Sequence, residues 1–319
     1  MNPLIRMAAV MLLTLSGWGV HAFPDRPVVL VFLFTASSGS DIIARTLAPK
    51  LSERWKQPVV VDNKPGASGN IGHDAVAKAA PDGYTILISN SSTFVSNPYL
   101  FKRMPFDPYN DFESMGLVAS AGQVLIVHPS VPARTVAELT ALAKASAGKL
   151  NFGSGGKGIQ SHVSGEMYKS AVGIDIVHVP YKGVGLALPD MVSGKIQMVF
   201  YPPTFLQFVK EGKLRAIAIS APARSALLPE VPTTGESGMP DLLASSWHAI
   251  VAPAGVPAEN IKKFHAALTT VMADKEVREK MASVGADPIG STPEKFGPFM
   301  RTEVDKWRKV IKSSGITVD

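Results

Sequence analysis

A glycine-rich stretch, NFGSGGKGIQSHVSGE at Asn151–Glu166, carries the residues best suited to hold an anion. Within it, Gly153 to Gly158 satisfies the pattern G-x-G-x-x-G, which can place a dinucleotide pyrophosphate at the start of a helix. Asp175 follows at about the distance at which that fingerprint has its acidic residue. The stretch fails as a P-loop, because Lys157 is followed by glycine. Two ligands are open at this point: a dinucleotide, or another anion held by backbone N–H groups.

A second loop, FTASSGSD at Phe34–Asp41, offers the hydroxyls of Ser37, Ser38 and Ser40 beside a predicted helix start. Such a loop can bind a carboxylate. It can equally be ordinary helix capping, with Ser40 as N-cap. Asp41 is expected to cap the helix or bond to the loop, since an anion would repel it.

A third polar segment, SNSSTF, ends a predicted strand at Ser89–Phe94. Its polar side chains stand where a ligand cleft could use them, although a solvated loop is the alternative; they are Asn90, Ser91, Ser92 and Thr93.

Catalytic and metal-binding templates are missing from the sequence. It contains no G-x-S-x-G elbow and no H-E-x-x-H, and its histidines lack metal-ligand spacing. His162 and His178 are expected to be hydrogen-bonded structural residues, although Glu166 lies one helical turn after His162 and pairs with it in a way that resembles a catalytic arrangement. We therefore predict no metal, no cofactor and no enzyme. A hydrolase that uses His162 and a serine is the alternative.

The N-terminus predicts export. Residues 1–22 carry one arginine, an apolar core and small residues before Ala22, which is typical of a signal peptide cleaved after that residue. The chain has no cysteine, and its net charge of +6 is scattered rather than clustered. We expect a periplasmic protein without disulfides and without a nucleic-acid footprint. Since an NAD pool is absent from that compartment, the dinucleotide interpretation is disfavoured.

Short apolar runs alternate with amphipathic runs along the chain, which predicts an α/β protein with largely parallel sheets. A strand, a Ser/Gly turn and a helix at Val28–Trp55 recur in that order at Leu150–Ala171. Each copy would present a helix N-terminus at the carboxyl edge of a sheet, where open α/β sheets bind ligands. The predicted strands are 28–34, 59–63, 84–89, 124–128, 150–154, 175–180, 196–201, 214–220 and 246–253, and the predicted helices are 41–55, 71–80, 135–147, 159–171, 184–194, 259–272, 275–284 and 293–311.

Several segments together resemble the Bug receptors, the extracytoplasmic solute receptors of tripartite tricarboxylate transport systems. NKPGASGNIGHDAVAKAAPDGYTILI is similar to their N-x-P-G-A-x-G-x-x-G…A-x-A-x-P-D-G-Y-T signature, and PFDPYNDF to their P-Y-D-P-x-x-D-F segment. VLIVHPSVPARTVAEL, HVPYKG, VPTTGESG and SSWHAIVAPAGVPAENI match further blocks in the same order. The resemblance runs from Phe23 almost to Asp319.

The resemblance implies a periplasmic-binding-protein fold of the second type, with two α/β domains and a ligand cleft between them. It places crossover strands near Gln123–Ile126 and Trp247–Val251. The implied division is residues 23–123 with 251–319 as the first domain, and 124–250 as the second. The carboxylate-binding loops of the family correspond to Thr35–Ser40 and Ser154–His162. The second of these loops includes Gly155, Gly156 and Ser161.

Two departures from the family pattern affect the cleft. The family's first loop has two glycines where this chain has Ser37-Ser38, and a proline where it has Leu33. The serines add side chains that could replace bridging waters, narrow the cleft or impair binding. Many relatives carry an Asp after the strand that ends here at Tyr201; its replacement argues against an amino-acid ligand. Tyr201 is expected to stack on a ring, reach a second carboxylate, or serve only as a wall.

The resemblance implies a receptor that takes a small organic carboxylate, aromatic or dicarboxylic, by closing its cleft. The expected partners are a membrane permease or a sensor kinase, and the chain is expected to act as a monomer. Besides the hydrolase, a sensor or scaffold that has lost its ligand remains an alternative.

Overall fold

The computed structural model describes residues 23–34, 39–181 and 183–314, and for residues 39, 40, 204, 313 and 314 the backbone alone. The predicted signal peptide, residues 1–22, and most of the first candidate loop, residues 35–38, lie outside the described residues. Within the described ranges, no helix combines the length and the apolar character that a membrane crossing requires.

Eleven strands are described. They are β1 (Val28–Phe32), β2 (Val59–Asn63), β3 (Thr85–Asn90), β4 (Phe112–Ala121), β5 (Gln123–Val127), β6 (Asn151–Ser154), β7 (Val177–Pro180), β8 (Met198–Tyr201), β9 (Arg215–Ser220), β10 (Ser246–Pro253) and β11 (Asp287–Pro288).

Helices connect most of these strands. The α-helices are α1 (Gly39–Trp55), α2 (Asn70–Ala77), α3 (Asn97–Leu100), α4 (Val136–Ala145), α5 (Gln160–Val172), α6 (Leu188–Val192), α7 (Leu206–Lys210), α8 (Ala258–Ala273), α9 (Lys275–Ser283) and α10 (Pro293–Ser314). Three 3-10 turns lie at Ala67–Gly69, Val184–Ala187 and Pro203–Phe205, and a π-helical turn spans Ser92–Ser96.

The strands form two sheets. Sheet A has the order β11-β4-β10-β3-β1-β2, and sheet B has the order β7-β6-β8-β5-β9. The chain leaves sheet A at the end of β4, enters sheet B one residue later at β5, and returns through β10. This double passage is the topology of a fold with two α/β halves. The domain boundaries stated above stay a prediction.

The expectation of largely parallel sheets is wrong in one respect. The pairs β1–β2, β1–β3, β6–β7 and β6–β8 are parallel, whereas every pair made by β10 or β5 is antiparallel. A strand that carries the chain between two sheets enters from the opposite end to the strands of a βαβ unit, so the sheets are mixed.

The predicted helix at 184–194 is divided. A 3-10 turn covers Val184–Ala187, and α6 begins only at Leu188, with Pro189 in its first turn. Proline lacks the N–H that would bond to the preceding turn, so it fits the first turn of a new helix better than a helix interior.

Buried apolar faces explain why these helices pack where they do. The buried stripe of α1 consists of Ile43, Leu47 and Leu51, and it lies against sheet A together with α8 and α9. The neighbouring Ile42 is only half-buried. The other face of sheet A shares one continuous core with the face of sheet B that α5 covers. α10 packs against both β4 and α5, so it bridges the two sheets.

A left-handed turn precedes α2 in the segment that resembles the family signature. Ala67 and Ser68 have φ of 46° and 53°, between two glycines that also have positive φ. The carbonyl of Ser68 accepts hydrogen bonds from Thr93 Oγ1 and Asn97 Nδ2, both at 3.1 Å. These bonds offset the cost of the left-handed backbone and tie the turn to the segment that follows β3.

Candidate functional site

The carboxyl ends of several strands meet where the two sheets join. β4 runs parallel to β3, because both pair antiparallel with β10, so β1, β3 and β4 end at one edge of sheet A. Only Gly122 separates β4 from β5, and β5 begins at the edge of sheet B where β6 and β8 end. The loops after β1, β3, β6 and β8 therefore open toward one region, as ligand-binding loops of α/β folds do.

The glycine-rich loop after β6 is held by its own polar side chains. Ser161 Oγ accepts a hydrogen bond from the Gly155 N–H at 3.1 Å, and Ser154 Oγ accepts from the Gly156 N–H at 3.1 Å. His162 Nδ1 accepts from the Gly158 N–H at 2.9 Å. These three side chains, which the sequence predicted as ligand contacts, thus fix the backbone of the loop by hydrogen bonds. Their contact with a ligand stays a prediction.

The start of α5 leaves backbone donors available beside this loop. Ile159 is the N-cap, with extended backbone and no capping side-chain hydrogen bond. The first N–H groups of a helix have no partner within the helix. For the N–H groups of Gln160 and Ser161 the described part of the chain shows no acceptor. The positive end of the helix dipole and two free donors therefore point out of this helix end, which suits a carboxylate.

Two histidines form a stacked pair beneath the loop. The rings of His162 and His178 lie 3.7 Å apart at an interplanar angle of 9°, and His178 stacks in turn on Phe152. His178 Nε2 lies 2.6 Å from Ser154 Oγ. Burial lowers the pKa of His162 to about 3, helped by the nearby positive charges of His178, Lys157 and Lys169. Burial also lowers the pKa of His178 to about 4.

These lowered pKa values predict a protein that is less stable in acid. Unfolded histidine binds a proton near pH 6.5, whereas folded His162 and His178 do so only near pH 3 and pH 4. Below about pH 6.5 the unfolded state therefore binds more protons, and stability falls as the pH falls toward 4. We expect thermal denaturation to show Tm decreasing from pH 7 to pH 5.

A substitution at His162 tests this origin of the pH dependence. His162→Asn keeps an acceptor for the Gly158 N–H but removes the titrating ring, so the decrease in Tm between pH 7 and pH 5 should be smaller than in the unmodified protein. His128→Asn replaces a half-exposed histidine that is not part of the stacked pair, and it controls for the effect on Tm of a change from His to Asn. An unchanged pH slope in His162→Asn would show that the stacked pair does not titrate on unfolding.

His162 does not have the surroundings of a catalytic base. Its Nδ1 is occupied by a backbone donor, and its Nε2 lies 3.8 Å from Glu166 Oε1, beyond hydrogen-bond reach. Burial raises the pKa of Glu166, which disfavours the carboxylate form that would orient a base. Among the described residues, no cluster of three or more His, Asp or Glu side chains could hold a metal ion.

The helix that follows the first candidate loop begins in a hydrogen-bonded network. Asp41, buried in the first turn of α1, accepts from Arg45 Nε at 2.8 Å and from Asn63 Nδ2 at 3.3 Å. Asn63 Nδ2 also donates to the Phe34 carbonyl at 2.9 Å. Asn63 therefore ties together the two ends of the loop, at Phe34 and at Asp41. Thr35, Ser37 and Ser38 lie outside the described residues, as does the side chain of Ser40.

The remaining candidates lie at the ends of β3 and β8. Asn90 Oδ1 accepts from the N–H and the hydroxyl of Thr93, at 3.1 and 3.2 Å, and Ser92 is half-buried in the π-helical turn. The ring of Tyr201 packs 4.3 Å from that of Phe205 on the face of sheet B opposite to α5. Tyr201 is thus at the expected strand end, on the face of sheet B opposite to α5.

Two buried polar residues lie at these same strand ends: the sequence placed Ser91 in the polar run after β3, but gave Gln123 no contact with a ligand. Ser91 follows β3, and Gln123 begins β5; each is 1% exposed. Among the described residues, the Ser91 hydroxyl and both amide atoms of Gln123 have no hydrogen-bond partner. The only signal in the sequence was the polar character of Gln123 at the head of an apolar strand.

The two mixed α/β sheets, linked by crossover strands with helix-capped loops at the junction, define a periplasmic-binding-protein fold. A family model of the tripartite tricarboxylate transporter family receptor (TctC) matches residues 43–316. The chain belongs to this family. Its members and structural neighbours are solute-binding receptors rather than enzymes, so the hydrolase alternative is set aside.

Known relatives are similar to this chain over nearly its whole length. BugT of Bordetella pertussis is 33% identical over 318 residues, which cover 97% of this chain and 98% of BugT. The structure of Rhodopseudomonas palustris Rpa4515 with adipate is 32% identical, covers 93% of this chain and all of that one, and superposes with a TM-score of 0.83. MatC of the same species, with bound malate, is 27% identical with a TM-score of 0.78, and covers 91% of this chain and all of that one.

Proposed function

We propose that the chain is a periplasmic receptor that captures a small organic carboxylate and delivers it to a membrane permease. The observation that carries the proposal is the uncapped start of α5, where the N–H groups of Gln160 and Ser161 are available at the junction of the two sheets. Adipate and malate, the ligands of two related structures, support the ligand class. The signal peptide predicted at residues 1–22 supports the location.

The proposed mechanism is closure of the two sheets around the ligand. The carboxylate would accept hydrogen bonds from the start of α5 and from the loop at Thr35–Ser40, so it would touch both halves of the fold. A ligand that contacts both halves stabilises the closed arrangement over the open one, which is the whole energetic basis of such closure. No bond is made or broken, and the chain is proposed to act as a monomer. A sensor kinase is the second candidate partner.

A thermal-shift panel tests the proposal. Succinate, malate, adipate and benzoate at millimolar concentration are compared with sodium chloride at equal ionic strength. A ligand present at 100 times its Kd stabilises the folded state by about 2.7 kcal/mol, so at least one carboxylate should raise Tm well above the salt control. If none of them does, the receptor proposal fails, and a scaffold that has lost its ligand becomes the better interpretation.

A further inference from the structure

The buried side chain of Gln123 has unsatisfied hydrogen-bonding groups. It is 1% exposed, yet within the described part of the chain neither its amide nitrogen nor its amide oxygen has a hydrogen-bond partner. Leaving a buried polar group unpaired costs on the order of 1–3 kcal/mol, and most such groups in folded proteins are paired. Ser91 is also 1% exposed, and its hydroxyl also has no hydrogen-bond partner among the described residues. A buried polar group without a partner calls for an explanation, and a bound ligand that completes its hydrogen bonds is one.

Strand pairing places Gln123 at the proposed ligand site. Val124 pairs with Tyr201 and Phe152 with Met198, so the start of β5 lies at the edge of sheet B where β6 ends. β8 alone separates β5 from β6, a distance of two strand spacings or about 10 Å. Gln123 therefore lies about two strand spacings from the glycine-rich loop, a gap that its own side chain and a small dicarboxylate can span together.

The direction of its side chain agrees with this placement. Side chains alternate along a strand, so Gln123 shares a face with Leu125 and Val127, which pack in the same core as α5. Tyr201, at the neighbouring strand end, faces the opposite side. Gln123 thus stands at the edge where α5 begins and on the face that α5 covers. Ser91 follows β3 at the facing edge of sheet A.

We propose that Gln123, with Ser91, forms an uncharged subsite for the end of the ligand distant from the anchored carboxylate. A carboxamide has two N–H donors and one acceptor, and a hydroxyl is both donor and acceptor. A second carboxylate accepts only, so it would leave the amide oxygen of Gln123 unpaired. The subsite takes a group that both donates and accepts: a hydroxyl or a carboxamide. This inference rests on the proposed function and specifies the ligand as a hydroxy- or amide-bearing carboxylate.

Binding of matched acid and amide pairs tests the subsite. Dissociation constants are measured by calorimetry for succinate, malate and succinamate, and for adipate and its monoamide. The unmodified protein should bind malate or a monoamide at least tenfold more tightly than the parent diacid. Gln123→Leu, which offers neither donor nor acceptor, should reduce that ratio to about twofold, because a discrimination of tenfold corresponds to one hydrogen-bonded group.

Stability of the ligand-free protein gives a second readout. Because Gln123 has no partner to lose, Gln123→Leu should leave Tm unchanged or raise it. Gln207→Leu on exposed α7 is the matched control and should alter neither Tm nor the ratio of affinities. A lower Tm for Gln123→Leu would show that its amide has a structural partner, which overturns the subsite.

The outcomes separate the two proposals. If the diacids bind but the ratio is the same in the unmodified protein and in Gln123→Leu, the subsite is wrong and buried water completes the amide, while the receptor proposal stands. The same conclusion follows if the diacids bind more tightly than the monoamides and malate. If none of the compounds binds, both proposals fail.

Discussion

Gly155→Ala is expected to weaken carboxylate binding roughly tenfold to a hundredfold while the protein stays folded. A Cβ atom at this position would lie 2.6 Å from the backbone nitrogen of Val184 and 3.2 Å from the carbonyl carbon of Gly183. Backbone atoms cannot move aside as the end of a side chain can, so the glycine-rich loop must shift. A hydrogen bond to a charged group contributes about 1.5–3 kcal/mol, so moving one donor away from the carboxylate is expected to weaken binding by this order, and 1.4 kcal/mol is a factor of ten in Kd.

The shift would act on the proposed donors through two short links. Gly155 N–H donates to Ser161 Oγ, and the Gly155 carbonyl accepts from the Gly183 N–H at 3.0 Å. Ser161 stands in the first turn of α5, whose free N–H groups are proposed to hold the carboxylate. Displacing Gly155 therefore displaces the start of this helix relative to the rest of sheet B.

Calorimetric titration with the carboxylate that raises Tm most measures this effect. The matched control is Gly185→Ala, in the 3-10 turn that faces the same loop, where an added Cβ would meet nothing within 4 Å. Gly185→Ala should bind as the unmodified protein does. Equal affinities for Gly155→Ala and Gly185→Ala would show that the loop does not hold the ligand.

Local patterns in the sequence were sufficient for most of the elements around this loop. β10, predicted at 246–253, has those bounds, because an apolar run flanked by turns is typical of a strand buried on both faces. β4 was not predicted. Its residues, FESMGLVASA, include charged, small and glycine residues with no clear alternation. It is a strand because β10 and β11 pair with it on both sides, and that pairing is not encoded locally.

Local sequence patterns could not predict the contacts within the site either, because these contacts also depend on the pairing of distant segments. His178 meets His162 only because β7 pairs with β6, which brings residues distant in sequence into contact. Gln123 was recognised as the start of a crossover strand, but its lack of partners depends on every element packed around it. Sequence could locate the helix start that is proposed to bind the carboxylate. Only the folded structure shows which backbone N–H groups have an acceptor and which do not.

Glu303→Leu is expected to cause the largest loss of stability, about 3 kcal/mol. Glu303 is 6% exposed, and its Oε2 accepts from the indole nitrogens of Trp247 and Trp307 at 3.0 and 3.1 Å. Its other oxygen accepts from Lys306 Nζ, which also donates to the Leu243 carbonyl. Leucine would leave two buried indole N–H groups without an acceptor and would remove the partner of the ammonium group.

Thermal denaturation at neutral pH measures the loss. For a protein of this size, 3 kcal/mol corresponds to a decrease in Tm of about 5 °C. Asp305→Leu is the matched control on the same helix, because Asp305 forms an exposed ion pair with Arg308, and such pairs contribute about 0–1 kcal/mol. A decrease no larger than that of the control would contradict the assignment of Glu303 as the acceptor that both tryptophans require.

The position of this cluster makes its contribution more than local. Trp247 belongs to β10, the strand that returns the chain to sheet A, and the Leu243 carbonyl lies just before that strand. Glu303 lies on α10, which packs against β4 of sheet A and α5 of sheet B. One carboxylate therefore joins a crossover strand to the helix that spans both sheets.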